Sequence, residues 1–240
     1  MNKVGTANET QRDRWVRSRL AELPEHCELL DAGAGEQKYR PYCSHLSYQA
    51  QDFAQYQPGE DRSGLHSTAW DYRGLEIVSD ITAIPRGDAS FDAILCTEVF
   101  EHLPDPIRAI HEFARLLRPG GRLLLTAPFI SLTHFAPFHF ATGFNRYFYE
   151  THLSACGFRI DEISCNGNYF ELIAQEMRRV ASVADQFTND RASRLERWAI
   201  RKVLRMLGRW SAGDQGSAEL ACYGLHVAAT RLHHVSTAAA

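Results

Sequence analysis

Leu29-Leu30-Asp31-Ala32-Gly33-Ala34-Gly35 sets a carboxylate and two alternate glycines directly behind two apolar residues. That order suits a buried parallel strand ending in a tight turn, where a ligand can rest on backbone. A dinucleotide turn needs a third glycine three residues after the second, where the helix starts close to the strand and a pyrophosphate sits on its N-terminus. That position is Lys38 here, and the next glycine is Gly59. Asp31 would also set negative charge beside a pyrophosphate. A ligand with positive charge or hydroxyls fits better, so Asp31, Ala32, Gly33 and Gly35 read as one side of a nucleoside site.

Two further expected strands close on acids. Asp52 follows Asp31 by 21 residues, where the next strand's end should carry a ribose acceptor, and Asp80 closes the third strand. A planar base would lie between Phe53 and Ile81, with Asp80 taking its exocyclic amine. One strand-end acid is as readily a turn residue. Three of them beside Gly33 and Gly35 describe a site that reads amines and hydroxyls.

The elements that must hold these residues follow from periodicity and turn signals. A helix is expected over 9–22, stopped by Pro24, and a first strand over Leu29–Ala32. A short helix over Gln37–Ser44 and a strand over Leu46–Gln51 come next. Residues 55–75, rich in Gly, Gln, Ser and Asp with Trp70 and Tyr72, read as an irregular excursion. Strands follow at Glu76–Asp80 and Phe91–Cys96, then a helix over Pro106–Leu117 ended by Pro119-Gly120-Gly121, and an apolar strand at Leu123–Leu125. Arg146–Cys156 is helical up to Gly157, Phe158–Ser164 alternates as a strand, 170–209 is mostly helical, and Tyr223–Ala229 is the last strand. Ser236–Ala240 reads as a soft tail. Strands alternating with helices imply an α/β fold: a Rossmann-like, doubly wound, mostly parallel seven-stranded sheet with helices on both faces. The two late strands suggest a mixed edge. The expected layout is one domain over 1–240, with an N-terminal helix in 1–25, a core in 28–165, a helical insertion in 168–210 and the last strand within 220–232.

Bulk properties restrict the partners. A chain of 240 residues with 45% hydrophobic and 23% charged residues is an ordinary globular composition. A net charge of −3 gives no general attraction to a polyanion, so no nucleic-acid partner is expected. There is no signal-peptide core and no apolar run of membrane-spanning length. The six scattered cysteines form no CxxC pair, and Cys96 reads as a buried thiol. A reduced, cytoplasmic protein is expected.

Together these motifs resemble the class I S-adenosylmethionine-dependent methyltransferases of the broad group called type 11. The first motif is Leu29–Gly35, the ribose acid is Asp52, and the adenine-side acid is Asp80 within Val78-Ser79-Asp80-Ile81-Thr82-Ala83-Ile84-Pro85. The fourth-strand motif is Phe91-Asp92-Ala93-Ile94-Leu95-Cys96-Thr97-Glu98-Val99-Phe100-Glu101-His102, and the fifth is Leu116-Leu117-Arg118-Pro119-Gly120-Gly121-Arg122-Leu123. Five motifs in order over about 28–128 are specific, where a lone GxG would be weak. The resemblance implies S-adenosylmethionine as cofactor, with Thr97 and Glu98 joining the cofactor side, and methyl transfer to an O or N of a small molecule or glycan. The chain departs from the family where 55–75 lacks a clear helix and where the insertion after residue 166 is longer and more basic than usual. Both departures lie on the substrate side.

An activated methyl donor asks mainly for in-line alignment, and an acceptor hydroxyl also for a base. The candidates the resemblance points to are His102, just past the fourth strand, and His134 and His139 in the aromatic loop after the fifth. An imidazole near pKa 6.5 suits the task. The alternative reading is that His102 packs before Pro104 and that the loop is a lid with satisfied histidines. His134 and His139 bring no third ligand at convincing linear spacing, so no metal is expected.

Arg194–Trp210 places Leu195, Trp198, Ala199, Val203, Met206, Leu207 and Trp210 among arginines. Such a helix docks on its own domain, on a second copy in a homodimer, or on an anionic membrane surface. Two other functions stay open beside methyl transfer. One is a nucleotide-sugar or NAD-type enzyme on a similar sheet, and the other is a cofactor-binding protein without catalysis.

Overall fold

The computed structural model describes residues 3–56 and 70–233. Residues 57–69, most of the expected excursion, and the expected tail at 236–240 lie outside the described residues. Among the described residues seven strands form one sheet: β1 (Glu28–Ala32), β2 (Ser47–Asp52), β3 (Ile77–Val78), β4 (Phe91–Thr97), β5 (Leu117–Pro128), β6 (Phe158–Asn166) and β7 (Gly224–Arg231). Their order is β3-β2-β1-β4-β5-β7-β6, with the last strand in the chain set between β5 and β6. β1 pairs in parallel with β2 and β4, β2 with β3, and β4 with β5. The Rossmann-like, doubly wound sheet is as expected. Strand order reverses between β1 and β4, and the crevice beyond their carboxyl ends is where such sheets bind ligands.

β1, β4 and the second half of β5 are buried along almost every residue, so their sequences run apolar without alternation. Among the described residues there are five α-helices: α1 (Asn8–Ala21), α2 (Pro106–Leu116), α3 (Arg146–Ala155), α4 (Tyr169–Phe187) and α5 (Arg194–Ala212). Asp105 caps α2 by accepting from Arg108 N at 3.1 Å, and Pro106 occupies the first turn, where its missing N–H costs nothing. Asn145 caps α3 in the same way, and Gly157, at φ 77°, ends it.

Several expected elements need correction. Gln37–Ser44 holds only a 3-10 turn at Arg40–Tyr42, since Pro41 and the turn bonds of Gln37 and Tyr39 break a longer helix. β3 is two residues long, not five. α2 ends before Pro119, because Leu117 already pairs with Phe91, and Pro119-Gly120-Gly121 falls inside β5 where the register shifts between Phe91 and Ala93. Cys96 is fully buried, as expected.

The chain divides into two compact units. The larger, Arg14–Ser164 with Leu225–Ala240, has a core of Val16, Leu20, Leu29, Tyr39, Leu95 and Leu124 among others. The smaller joins Met1–Asp13 to Cys165–Gly224, so the expected insertion groups with the first residues of the chain. In this unit Val4, Ala174, Leu204 and Leu207 pack together. The Glu171 carboxylate accepts from Gly5 N at 2.6 Å, Tyr223 Oη at 2.8 Å and Ser211 Oγ at 3.2 Å.

Candidate active site

The turn after β1 is built by β2. Gly33 N and Ala34 N both donate to the Gln51 carbonyl, at 2.8 and 2.9 Å, and Gly35 N donates to the Asp52 carboxylate at 3.0 Å. Gly33 and Gly35 have φ of 75° and 49°, the left-handed region that disfavours a side chain. A Cβ on Gly33 would stand 2.5 Å from Val99 Cγ2, and one on Gly35 would stand 2.4 Å from Trp70 Cζ3. Only glycine allows this close approach.

Asp31, Ala32 and Asp52 are buried at this turn. Asp52 also accepts from Ala54 N at 2.9 Å, and burial holds its carboxyl above the ordinary range. Asp31 is pushed up to about 7, mainly by burial and further by the Asp52 carboxylate, while a 2.6 Å hydrogen bond from Tyr48 Oη acts against both. Two buried acids in this state favour a ligand that brings positive charge.

Asp80 lies beyond β3, exposed, with one carboxylate oxygen taken by Thr82 N and Thr82 Oγ1 at 2.8 Å each. Ile81 is buried, while Phe53 stands edge-on to Phe138 with ring centres 5.0 Å apart. β2 and β3 tie this edge together, since Ser79 N donates to the Asp52 carbonyl at 3.1 Å. Thr97 ends β4. Glu98 turns with φ 54°, its N–H on the Thr126 carbonyl at 2.8 Å and its carboxylate on Thr126 Oγ1 at 2.9 Å.

His102, His134 and His139 come together, each partly exposed, with their ligand atoms all within 4.8 Å of one another. The third nitrogen that linear spacing did not offer is therefore His102, brought in by the fold. Phe140 N and Ala141 N both donate to the Glu101 carbonyl, at 2.8 and 3.2 Å, which straps the loop after β5 onto the 3-10 turn Phe100–His102. His102 does not keep an ordinary pKa. Burial pulls it down to about 4, neighbouring His134 and His139 add to that, and the Phe138 carbonyl opposes it. Such an imidazole is neutral at pH 7 but a weak base, which corrects the expectation of a base near working pH.

Sequence reasoning missed four residues. Tyr48 could have been found from register: Leu29 pairs with Tyr48 and Asp31 with Ala50, so alternation puts Tyr48 and Asp52 on the face of Asp31. Gln51 holds the turn through its carbonyl and also bonds the Ser79 carbonyl at 2.7 Å. Glu101, 1% exposed, sets Oε1 3.7 Å from His102 Nε2 and 3.9 Å from His134 Nε2. Trp70 packs on Gly35 and on Phe135, at 4.9 Å between ring centres, and Phe135 in turn lies 5.4 Å from the His102 ring. An aromatic bridge thus joins the glycine turn to the histidines.

Residues 30–125 match the family described as a methyltransferase domain. Over this segment the chain is similar to a methyltransferase domain. The matched segment includes Asp31, Asp52, Asp80, Glu98 and His102, and stops short of His134 and His139. The ubiquinone biosynthesis O-methyltransferase of Xanthomonas oryzae pv. oryzae is 48% identical over 64 residues, 26% of this chain and 26% of that protein. That of Xanthomonas campestris pv. campestris is 48% identical over 56 residues, 23% of this chain and 22% of that protein. The match thus spans about a quarter of the length of these relatives.

Among solved structures, a putative sarcosine dimethylglycine methyltransferase from Galdieria sulphuraria superposes with a TM-score of 0.56 at 18% identity, covering 93% of this chain and 86% of that one. Phosphoethanolamine N-methyltransferase 2 of Haemonchus contortus, in complex with S-adenosyl-L-methionine, gives 0.53 at 15% identity, covering 93% and 53%. The [4+2]-cyclase SpnF gives 0.56 at 18% identity, covering 95% and 84%. At these identities the likeness is one of fold, and SpnF is named for a different chemistry on it.

Proposed function

We propose that this methyltransferase domain, read as one functional unit over the whole chain, transfers a methyl group from S-adenosylmethionine to an oxygen of a small-molecule acceptor. The observation that carries the reading is the buried pair Asp31 and Asp52 around Gly33 and Gly35 at the sheet's switch point. The O-methyltransferases of Xanthomonas, similar over a quarter of their length, support oxygen over nitrogen.

S-adenosylmethionine supplies a methyl group on a sulfonium, a donor that needs no further activation. The chain's residues then bind, orient and exclude water. Asp52 accepts from the ribose hydroxyls in charge-assisted hydrogen bonds. Asp31, as a carboxylate, pairs with positive charge on the methionine side. Gly33 and Gly35 let the cofactor lie on backbone, and Thr97 and Glu98 border it at the end of β4. Asp80 and Ile81 flank the adenine with Phe53. Trp70 and Phe135 cover the turn and keep water from the reacting atoms, and His102, His134 and His139 line the acceptor's side.

The exposed face of α5 is the proposed contact with an anionic membrane surface. Leu204 and Leu207 are buried, while Leu195 and Trp198 stay 72% and 51% exposed among Arg194, Arg197, Arg201, Lys202 and Arg205. That arrangement favours an apolar, lipid-associated acceptor over a soluble glycan. A reducing cytoplasm is the proposed location, in keeping with the buried thiols of Cys27, Cys43, Cys96 and Cys222.

Incubation of the full chain with methyl-labelled S-adenosylmethionine and fractionated cell extract tests the activity. Label is expected in a lipid-extractable small molecule, and absence of transfer into any fraction contradicts the proposal.

A further inference from the structure

We propose that His102, His134 and His139 are the ligands of a divalent transition-metal ion that holds the acceptor's oxygen. The ligand site stands on histidine geometry alone, while its role toward the acceptor rests on the methyl-transfer reading.

His102 Nδ1 lies 2.5 Å from the Phe138 carbonyl, and His134 Nδ1 lies 2.8 Å from the Leu132 carbonyl. A carbonyl only accepts, so both rings carry their proton on Nδ1 and turn the Nε2 lone pair inward. Fixing one ring nitrogen on a backbone carbonyl is how metal-binding histidines are oriented. Both Nε2 atoms converge on the Glu101 side chain, within 3.9 Å of the same oxygen. His139 completes the set: both of its ring nitrogens are buried and lack any hydrogen-bond partner. A buried imidazole with neither donor nor acceptor satisfied is costly, and coordination through one nitrogen removes part of that cost.

The spacing suits a metal after a small contraction. The three ligand atoms lie within 4.8 Å of one another, and Zn–N bonds of about 2.0–2.1 Å at tetrahedral angles bring nitrogens to roughly 3.4 Å. Three imidazoles beside a buried carboxylate suit zinc and neighbouring first-row ions. Three protein ligands leave the fourth position of a tetrahedral ion for an exogenous oxygen. Two of the three ligands lie beyond the matched segment 30–125.

A metal here removes the need for a strong base. An acceptor hydroxyl bound to it gives up its proton to solvent near neutral pH, as metal-bound water does. The oxygen lone pair then forms the new C–O bond. The C–S bond breaks with its electron pair remaining on sulfur.

The test is titration of the chelator-treated full chain with zinc by calorimetry, and with cobalt(II) by visible absorption. One ion per chain is expected at micromolar affinity or tighter, with a cobalt d–d spectrum showing nitrogen ligation. His134→Ala and His139→Ala should each weaken binding at least about tenfold, while binding of S-adenosylmethionine, read in the same samples, shows that the variants fold. No stoichiometric zinc uptake by a wild-type chain that binds S-adenosylmethionine overturns the site. Uptake unchanged in both variants overturns it as well. Zinc uptake lost in the variants supports the site even if no acceptor is methylated, an outcome that counts against the methyl-transfer reading instead.

Discussion

Tyr48 Oη donates to the Asp31 carboxylate across 2.6 Å, from the neighbouring parallel strand and the same face of the sheet. This bond favours the anion, against burial and the Asp52 carboxylate, which together push Asp31 up to about 7. A cationic ligand pairs with the anion only, so affinity for S-adenosylmethionine should fall as pH drops below about 7, approaching tenfold per unit. Tyr48→Phe removes a hydrogen bond to a charged group worth roughly 1.5–3 kcal/mol, and should move the inflection up by about one to two pH units. Calorimetry across neutral pH reads both effects. A flat profile in the wild type would show that Asp31 does not meet the ligand's charge.

The same residue links pH to stability, with the sign opposite to the usual carboxylate. The native pKa lies above the unfolded value of about 3.9, so the native state binds more protons between the two and stability declines as pH rises from about 4 to about 7. Above that range the full penalty remains. Asp31→Asn should therefore raise the melting temperature of the ligand-free chain at pH 8 and not at pH 4, while abolishing tight cofactor binding. Equal melting shifts at both pH values would place the effect elsewhere.

Gly35→Ala puts a Cβ 2.4 Å from the Trp70 ring at a φ of 49°. The left-handed backbone costs about 1–2 kcal/mol with a side chain, and displacing the indole adds to it. Cofactor affinity should drop with stability. In Gly35→Ala/Trp70→Ala the steric part is relieved and the backbone part persists, so a double-mutant cycle should give partial recovery. Strict additivity of the two substitutions would show that the indole does not rest on the turn.

Local chemistry made the cofactor side legible: an apolar run, an acid and two glycines are consecutive in the chain, and each strand-end acid follows its own strand. The histidine cluster was only half legible. His134 and His139 are near in sequence, but His102 joins them because the loop after β5 is strapped to the Glu101 carbonyl, a contact over 39 residues from Glu101 to Phe140. Trp70 stood out as an aromatic in a polar stretch without revealing what it covers. β3 and the expected helix at Gln37–Ser44 come out shorter than expected, since short segments beside turns carry little period to read.

The α5 proposal separates cleanly from the active site. Arg201→Glu/Arg205→Glu reverses charge beside the exposed Trp198 while leaving buried Leu204 and Leu207 in place. Sedimentation of the full chain with phosphatidylglycerol-containing vesicles should decrease severalfold in this variant and on raising salt. Cofactor affinity should not change. Binding indifferent to both treatments would remove the membrane contact.

Calorimetric titration of the full chain with S-adenosylmethionine, with NAD as comparison and Asp52→Ala as variant, is the most direct test. One-site binding of S-adenosylmethionine, none of NAD, and a loss of roughly tenfold or more in Asp52→Ala are predicted, from a charge-assisted bond worth roughly 1.5–3 kcal/mol. A wild-type chain that binds NAD, or that gives no heat with S-adenosylmethionine, contradicts the account.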